Sequence, residues 1–194
     1  TGTDDKIGCS VAISSNTLVV GAYQEDGSGT GVNPATNEGA ANSGTAYVFT
    51  RDGTTWSQQA YLKASNTGPN DSFGRSVSIS DDTIIAGAAS EQGSGTGVNP
   101  PSNDALYYAG AAYVFVRSAS IWSQEAYLKA SNTSGGDYFG ASVSVSGDLI
   151  VVGSPSEAGS GTGVNPPSND SDSNAGAAYV YSRTSGVWTH EAYL

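Results

Sequence analysis

The segment "GSGTGVNP" occupies residues 27–34, 93–100 and 159–166. Superposing the three copies brings the rest of the chain into register. Gly8, Gly74 and Gly140 coincide, as do Trp56, Trp122 and Trp188, and Leu62, Leu128 and Leu194. The copies start at 27, 93 and 159, a period of 66 residues without insertion or deletion. Self-similarity at a fixed period marks a repeat architecture and outranks any local motif. The chain therefore divides into units 1–62, 63–128 and 129–194.

Each unit predicts four short strands. The first is "CSVAIS" (9–14), whose alternation puts Val11 and Ile13 on one face. A two-residue polar turn leads to "TLVVGA" (17–22). A loop of roughly twenty residues, containing the glycine segment, precedes "GTAYVFTR" (44–51), and "WSQQAYL" (56–62) closes the unit. No stretch carries a sustained helical period. The second and third strands are apolar on both faces, the pattern of strands enclosed between layers. A face of four such strands spans roughly 300 Å², and monomers seldom leave apolar patches of that size uncovered. The fold predicted is all-β: three tandem four-stranded antiparallel blades of a β-propeller, or a blade-like array.

Composition narrows the function. The net charge is −11, from 18 acidic and 7 basic side chains, which argues against nucleic acid as a partner. No run approaches the ~20 apolar residues of a membrane span, and none resembles a signal peptide. The single cysteine, Cys9, excludes an internal disulfide framework. Few cysteines and few lysines suit an extracellular protein.

The chain resembles the FG-GAP repeat family, the blade unit of the integrin α-subunit propeller and of many secreted bacterial proteins. The "FG" element matches Phe73-Gly74, Phe139-Gly140 and Ile7-Gly8. The "GAP" element matches Gly21-Ala22-Tyr23, Gly87-Ala88-Ala89 and Gly153-Ser154-Pro155, and "AYVF" (46–49, 112–115; "AYVY" at 178–181) fits the third strand. The resemblance implies a propeller fold at the cell surface or outside the cell. Calcium-binding members carry an Asp-rich loop between the first two strands. Here that turn is only Ser15-Asn16, Asp81-Asp82 or Gly147-Asp148, so the family's usual calcium site does not carry over.

Each candidate site has a structural alternative. A phosphate-binding glycine loop needs a following helix and a nearby lysine, and "GSGTGVNP" has neither. The glycines instead suit a turn through positive φ. A calcium reading rests on recurring oxygen ligands: Glu25, Glu91 and Glu157 before the loop, Asn37, Asn103 and Asn169 with Glu38, Asp104 and Asp170 after the loop, and Asp5, Asp71 and Asp137 before the "FG" glycine. The alternative is that these side chains cap turns. Three sequons, at Asn70, Asn132 and Asn169, are candidate glycosylation sites. Catalysis finds no constellation. His190 aligns with Gln58 and Gln124, and Cys9 with Arg75 and Ala141, so no enzyme is expected. Trp56, Trp122 and Trp188, with Tyr61, Tyr127 and Tyr193, suit stacking on sugars or packing between blades.

Leu62 and Leu128 are followed by "KASNT", whereas the chain starts at Thr1, in phase with Thr67 and Thr133, and stops at Leu194. The two ends are thus nearly consecutive in the repeat. Three blades cannot close a ring, and neither end carries a polar capping repeat. The expectation is a self-associating, non-enzymatic repeat protein that builds a larger propeller or filament with identical repeats. The alternative is a propeller that binds a glycan or surface protein through its loops, with calcium as a possible cofactor.

Overall fold

The computed structural model describes residues 2–167, 169 and 171–194. Thr1 and Asp170, both named above, lie outside the described residues. The first sheet has the order β1 (Ser10–Ser14), β2 (Thr17–Ala22), β3 (Thr45–Asp52), β4 (Thr55–Leu62), antiparallel throughout. The second contains β5 (Phe73–Ser80), β6 (Thr83–Ala88), β7 (Gly97–Val98), β8 (Ala111–Ser118) and β9 (Ile121–Lys129), in the order β5-β6-β8-β9-β7. The third repeats the first with β10 (Ser142–Ser146), β11 (Leu149–Ser154), β12 (Ala177–Thr184) and β13 (Val187–Tyr193). The described residues form no helix, and the three sheets lie in series without closing into a ring.

The glycine segment is an edge element. In the second sheet it supplies β7, an unexpected fifth strand paired with β9. In the first it makes a single bridge, Val32 to Leu62. Gly31, Gly97 and Gly163 reach this position through φ of +77°, +78° and +95°, a region that glycine enters without steric cost. Asn33 then locks the edge from both sides. Its N–H donates to the Tyr61 carbonyl at 2.8 Å, and its side-chain Oδ1 accepts from the Tyr61 N–H at 2.8 Å. Asn99 and Asn165 do the same with Tyr127 and Tyr193. The loop thus covers what would otherwise be an open strand edge.

Every sheet has one aliphatic and one aromatic face. On the first sheet Val19, Ala46, Val48, Ala60 and Leu62 form the aliphatic face, which packs on Ile79, Ile84, Tyr113, Phe115 and Trp122 of the second. The second sheet's opposite face, with Ile85, Ala112, Val114 and Leu128, packs in the same way on Val145, Ile150, Tyr179, Tyr181 and Trp188 of the third. Full enclosure of both faces, read from the sequence for every unit, holds for the middle sheet, where β6 is buried along its whole length. The outer sheets each have one face exposed.

The "FG" residues form the seam between sheets. Phe73 hydrogen-bonds through its N–H to the Ser43 carbonyl of the first sheet, while its ring lies 5.4 Å from Tyr113 and 6.0 Å from Phe115 of the second. Gly74 lies directly against Gly21, the "GAP" glycine of the preceding repeat. A Cβ on Gly21 would fall 1.9 Å from the Gly74 oxygen, and one on Gly74 would fall 2.1 Å from the Thr45 oxygen. Ser10 fastens the seam by donating its hydroxyl to the Gly74 carbonyl at 2.7 Å, and Ser76 does so to Gly140 at 2.8 Å.

Gly8 and Gly74 have similar φ, +90° and +81°, but no described residue stands within 4 Å of a Cβ at Gly8. Gly8→Ala should therefore cost only the left-handed backbone penalty of about 1–2 kcal/mol. Gly74→Ala should lose about 1–3 kcal/mol more through forced overpacking at the seam. Urea denaturation of the two variants measures the difference; equal losses would contradict the seam.

Candidate functional site

Polar side chains concentrate at two places in each repeat: a buried node beneath the glycine loop, and the junction with the neighbouring sheet. In the node, Glu25 follows the end of β2, and its carbonyl accepts from the Gly44 N–H at 2.8 Å, which turns the side chain inward. Tyr61 and Lys63, two residues apart and so on one face of the strand, meet it there. Tyr61 donates its hydroxyl to Glu25 Oε1 at 2.5 Å; Lys63 Nζ reaches Glu25 Oε2 at 2.8 Å and the Gly44 carbonyl at 2.7 Å. The second repeat copies this with Glu91, Tyr127, Lys129 and the Gly110 carbonyl. In the third, Glu157 accepts from Tyr193, from Asn132 and from the Gly159 N–H.

Both lysine side chains are fully enclosed. Burial pulls the Lys63 and Lys129 ammonium groups below their ordinary value, while Glu25 and Glu91 oppose the shift. Removing one member of such a pair would strand the other charge, at a cost of about 3–5 kcal/mol. Burial also raises Tyr47 to about 12, with the Glu25 charge adding to it, so this hydroxyl keeps its proton.

The recurring aspartates act as turn caps. Asp71 accepts from the Gly68 N–H at 2.7 Å, Asp137 from the Ser134 N–H at 2.8 Å, and Asp5 from the Gly2 N–H. Among the described residues no group of three or more His, Cys, Asp or Glu side chains is placed to hold a metal ion. In the first two repeats the glutamates proposed as calcium ligands face a lysine ammonium. Asn37, Asn103 and Asn169 brace the glycine loop by accepting from Ser28, Ser94 and Ser160. Of the sequon asparagines, Asn70 and Asn169 are exposed. Asn132 is tied to Glu157 at 2.8 Å and to the Tyr179 hydroxyl at 2.6 Å. The polar turns between the first two strands serve arginines: Arg117 pairs with Asp82 at 2.6 Å, and Arg183 with Asp148 at 2.7 Å. His190 lies between Tyr179 and Tyr181, its Nε2 buried without a hydrogen-bond partner among the described residues, and burial lowers its pKa. Cys9 is exposed.

The junctions rest on a β-bulge that alternation does not reveal. The register of β3 against β4 jumps between Val48 and Phe49, leaving Gln59 unpaired. Bulges re-aim side chains, and this one sends Gln59 to the next sheet. There its Oε1 accepts from Trp122 Nε1 at 2.8 Å and from Arg117 at 3.2 Å. Glu125, at the same bulge of the second sheet, accepts from Trp188 at 2.7 Å and Arg183 at 3.0 Å. Each arginine also stacks on its tryptophan, 5.0 Å from the ring centre. Trp122 and Trp188 are therefore buried between blades, as one of the two sequence readings held, while Trp56 at the free face of the first sheet is exposed.

A serial array of sheets joined by interlocking glycines, a bulge acceptor and an Arg–Trp stack is a propeller-like repeat module. The profile of the FG-GAP repeat matches residues 1–49, 56–115 and 122–181. This chain belongs to the FG-GAP repeat family. No curated protein matches it.

Asp71 offers a pH test of the buried caps. Its carboxyl is pushed up to about 7, first by burial, with the Gly68 N–H opposing and the Glu91 charge adding. The folded value lies above the unfolded one of about 3.9, so the native state holds this proton more tightly. That contribution to stability is complete below about pH 4 and is lost as pH rises through about 7. Asp71→Asn, neutral throughout, should lose less stability than the native chain between those limits. Urea midpoints measured across the range check this, and parallel curves would contradict it.

Proposed function

We propose that this chain is a non-enzymatic structural module that joins further copies of its own repeat, end to end, into a larger propeller or filament outside the cell or at its surface. One observation carries the reading: the residues exposed on the two outer faces occupy the repeat positions that are buried at the two internal junctions. On the aromatic side Trp56 is 42% exposed, whereas Trp122 and Trp188 are each 3%; Ile13 is 63% exposed, against 8% for Ile79 and 7% for Val145. On the aliphatic side Val151 is 41% exposed, while its counterpart Val19 is fully buried, as is Ile85.

The two outer faces are also complementary in detail. A slot of ≈ 430 Å³ on the third sheet is lined by Ser142, Gly153, Ser154 and Ala177. It corresponds to the place on the first sheet where Phe73-Gly74 is seated. The matching "FG" element, Ile7-Gly8, is exposed at the other end. The bulge acid Glu191 of the third sheet is exposed, and so are Arg51 and Trp56 of the first. These are the partners that Glu125, Arg183 and Trp188 provide inside the chain. The occupant proposed for each face is thus another copy of the same repeat, and head-to-tail contacts of this type propagate or close into rings. An extracellular site fits the family resemblance and the low lysine and cysteine content. Among the described residues no helix is long and apolar enough to cross a membrane.

Sedimentation velocity over a concentration series tests this directly. Species larger than the 19.5 kDa chain should grow with concentration. Trp56→Ala and Glu191→Arg, both at exposed positions, should each weaken association at least tenfold. A single 19.5 kDa species at every concentration would overturn the proposal.

A second reading, loop-mediated glycan binding, has one specific support. Tyr107 and Tyr108 are exposed in the long loop of the second repeat, and the Tyr108 ring stacks on Tyr138 at 5.3 Å with 21° between planes. Sugars stack on such aromatic surfaces. A glycan array should then give hits that Tyr107→Ala and Tyr108→Ala abolish, and silence on the array removes this reading.

A further inference from the structure

The segments that connect one sheet to the next do more than span a gap. Asn66, in the connection between the first and second sheets, enters a space beside the second buried node. Its Nδ2 donates to Glu91 Oε1 at 2.9 Å, and Tyr113 donates its hydroxyl to Asn66 Oδ1 at 2.7 Å. Asn132 repeats the arrangement one unit later, 2.8 Å from Glu157 and 2.6 Å from the Tyr179 hydroxyl. Ser65 adds a reciprocal pair with Gln124: its backbone N–H donates to Oε1 at 3.1 Å, and Nε2 donates back to the Ser65 hydroxyl at 2.9 Å.

In the first repeat the corresponding space is a cavity of ≈ 310 Å³, with Glu25, Tyr47, Gln58 and Tyr61 in its wall and Gly2 and Asp5 at its side. Glu25, Tyr47 and Gln58 stand at the positions of Glu91, Tyr113 and Gln124. We infer that this cavity is a binding site for a peptide, the Ala-Ser-Asn connecting segment of another repeat, read through the asparagine carboxamide and the serine backbone. A carboxamide can donate to Glu25 and accept from Tyr47 at once, as Asn66 does with Glu91 and Tyr113. An aspartate in its place would set one carboxylate against another, and an alanine would leave Tyr47 and Glu25 without those bonds. Gln58 lines the cavity at the position from which Gln124 exchanges hydrogen bonds with Ser65.

The inference takes its occupant from the end-to-end proposal. A repeat stacked on the Trp56 face would bring its own connecting segment to this cavity, just as the first sheet brings Asn66 to the second. The contact itself is distinct from the stacked faces and can be tested apart from them.

The test is an N-terminal extension of the full chain by Lys-Ala-Ser-Asn, joined directly to Thr1 so that it copies the run from Lys63 to Thr67. Tethering keeps the peptide at high effective concentration. The extension should raise the melting temperature by about 2–4 °C. The rise should vanish when the asparagine of the extension is replaced by alanine, and when Tyr47→Phe removes the donor hydroxyl. The unextended Tyr47→Phe chain serves as the reference for the second variant and shows whether it folds. No rise, or a rise that ignores both changes, would overturn the inference. Sedimentation of the same proteins separates the two proposals. A monomer whose stability depends on the added asparagine keeps the cavity and sinks the stacking. Assembly without that dependence does the reverse.

Discussion

The structure depends on the contact between consecutive sheets across backbone that carries no side chains. Gly21 against Gly74, and Gly87 against Gly140, bring two repeats so close that a single Cβ would fall about 2 Å from a carbonyl oxygen. That approach sets the distance at which the aliphatic face of one sheet meets the aromatic face of the next. A four-stranded sheet with two apolar faces is not a stable object in water, because the hydrophobic driving force is satisfied only when both are covered. Repeat proteins solve this by stacking, so that stability is shared between units and their interfaces. The "FG" and "GAP" glycines mark where that sharing takes place.

The polar residues follow the same logic. The bulge acceptors Gln59 and Glu125 and the serine hydroxyls on Gly74 and Gly140 act across a junction, and the acceptors grip Arg–Trp stacks formed within the neighbouring sheet. The Glu–Tyr–Lys node holds the long loop to the strand that carries the tyrosine and to the lysine just beyond it. Asn66 then reaches from the connection between the first two sheets into the node of the second. Each sheet is therefore completed from its preceding side in three ways: an apolar face, a bulge acceptor for its arginine and tryptophan, and an asparagine from the connecting segment. This is why the same residues change from buried to exposed at the ends of the array while their sequence stays the same.

The period of 66 residues made the array legible, and alternation placed the strands almost to the residue: "TLVVGA" is β2 without adjustment. The seam glycines were visible through the family resemblance. What alternation could not show were contacts between positions far apart. Lys63 reads as an ordinary charged residue after a strand, and its pairing with Glu25 across 38 positions is set by how the loop folds back. The bulge at Gln59 is hidden because the residues on either side of it keep their apolar pattern. The two-residue strand β7 escaped notice because glycine and valine in a polar loop carry no strand signal of their own. Asn132 scanned as a glycosylation sequon, yet its amide is bound to Glu157. Its recurrence in phase with Asn66, each 25 residues before a buried glutamate, was the available signal.

The central claim is that an uncovered sheet face seeks another copy of the same repeat, and amide hydrogen exchange at increasing protein concentration tests it most directly. Strands β6 and β8, enclosed on both sides, should be the most protected at every concentration. Protection of β1, of β4 around Trp56 and of β11 around Val151 should rise as concentration increases, because those faces become covered. If the outer strands exchange at the same rate from dilute to concentrated solution while the core stays protected, the faces have no such partner and the account fails.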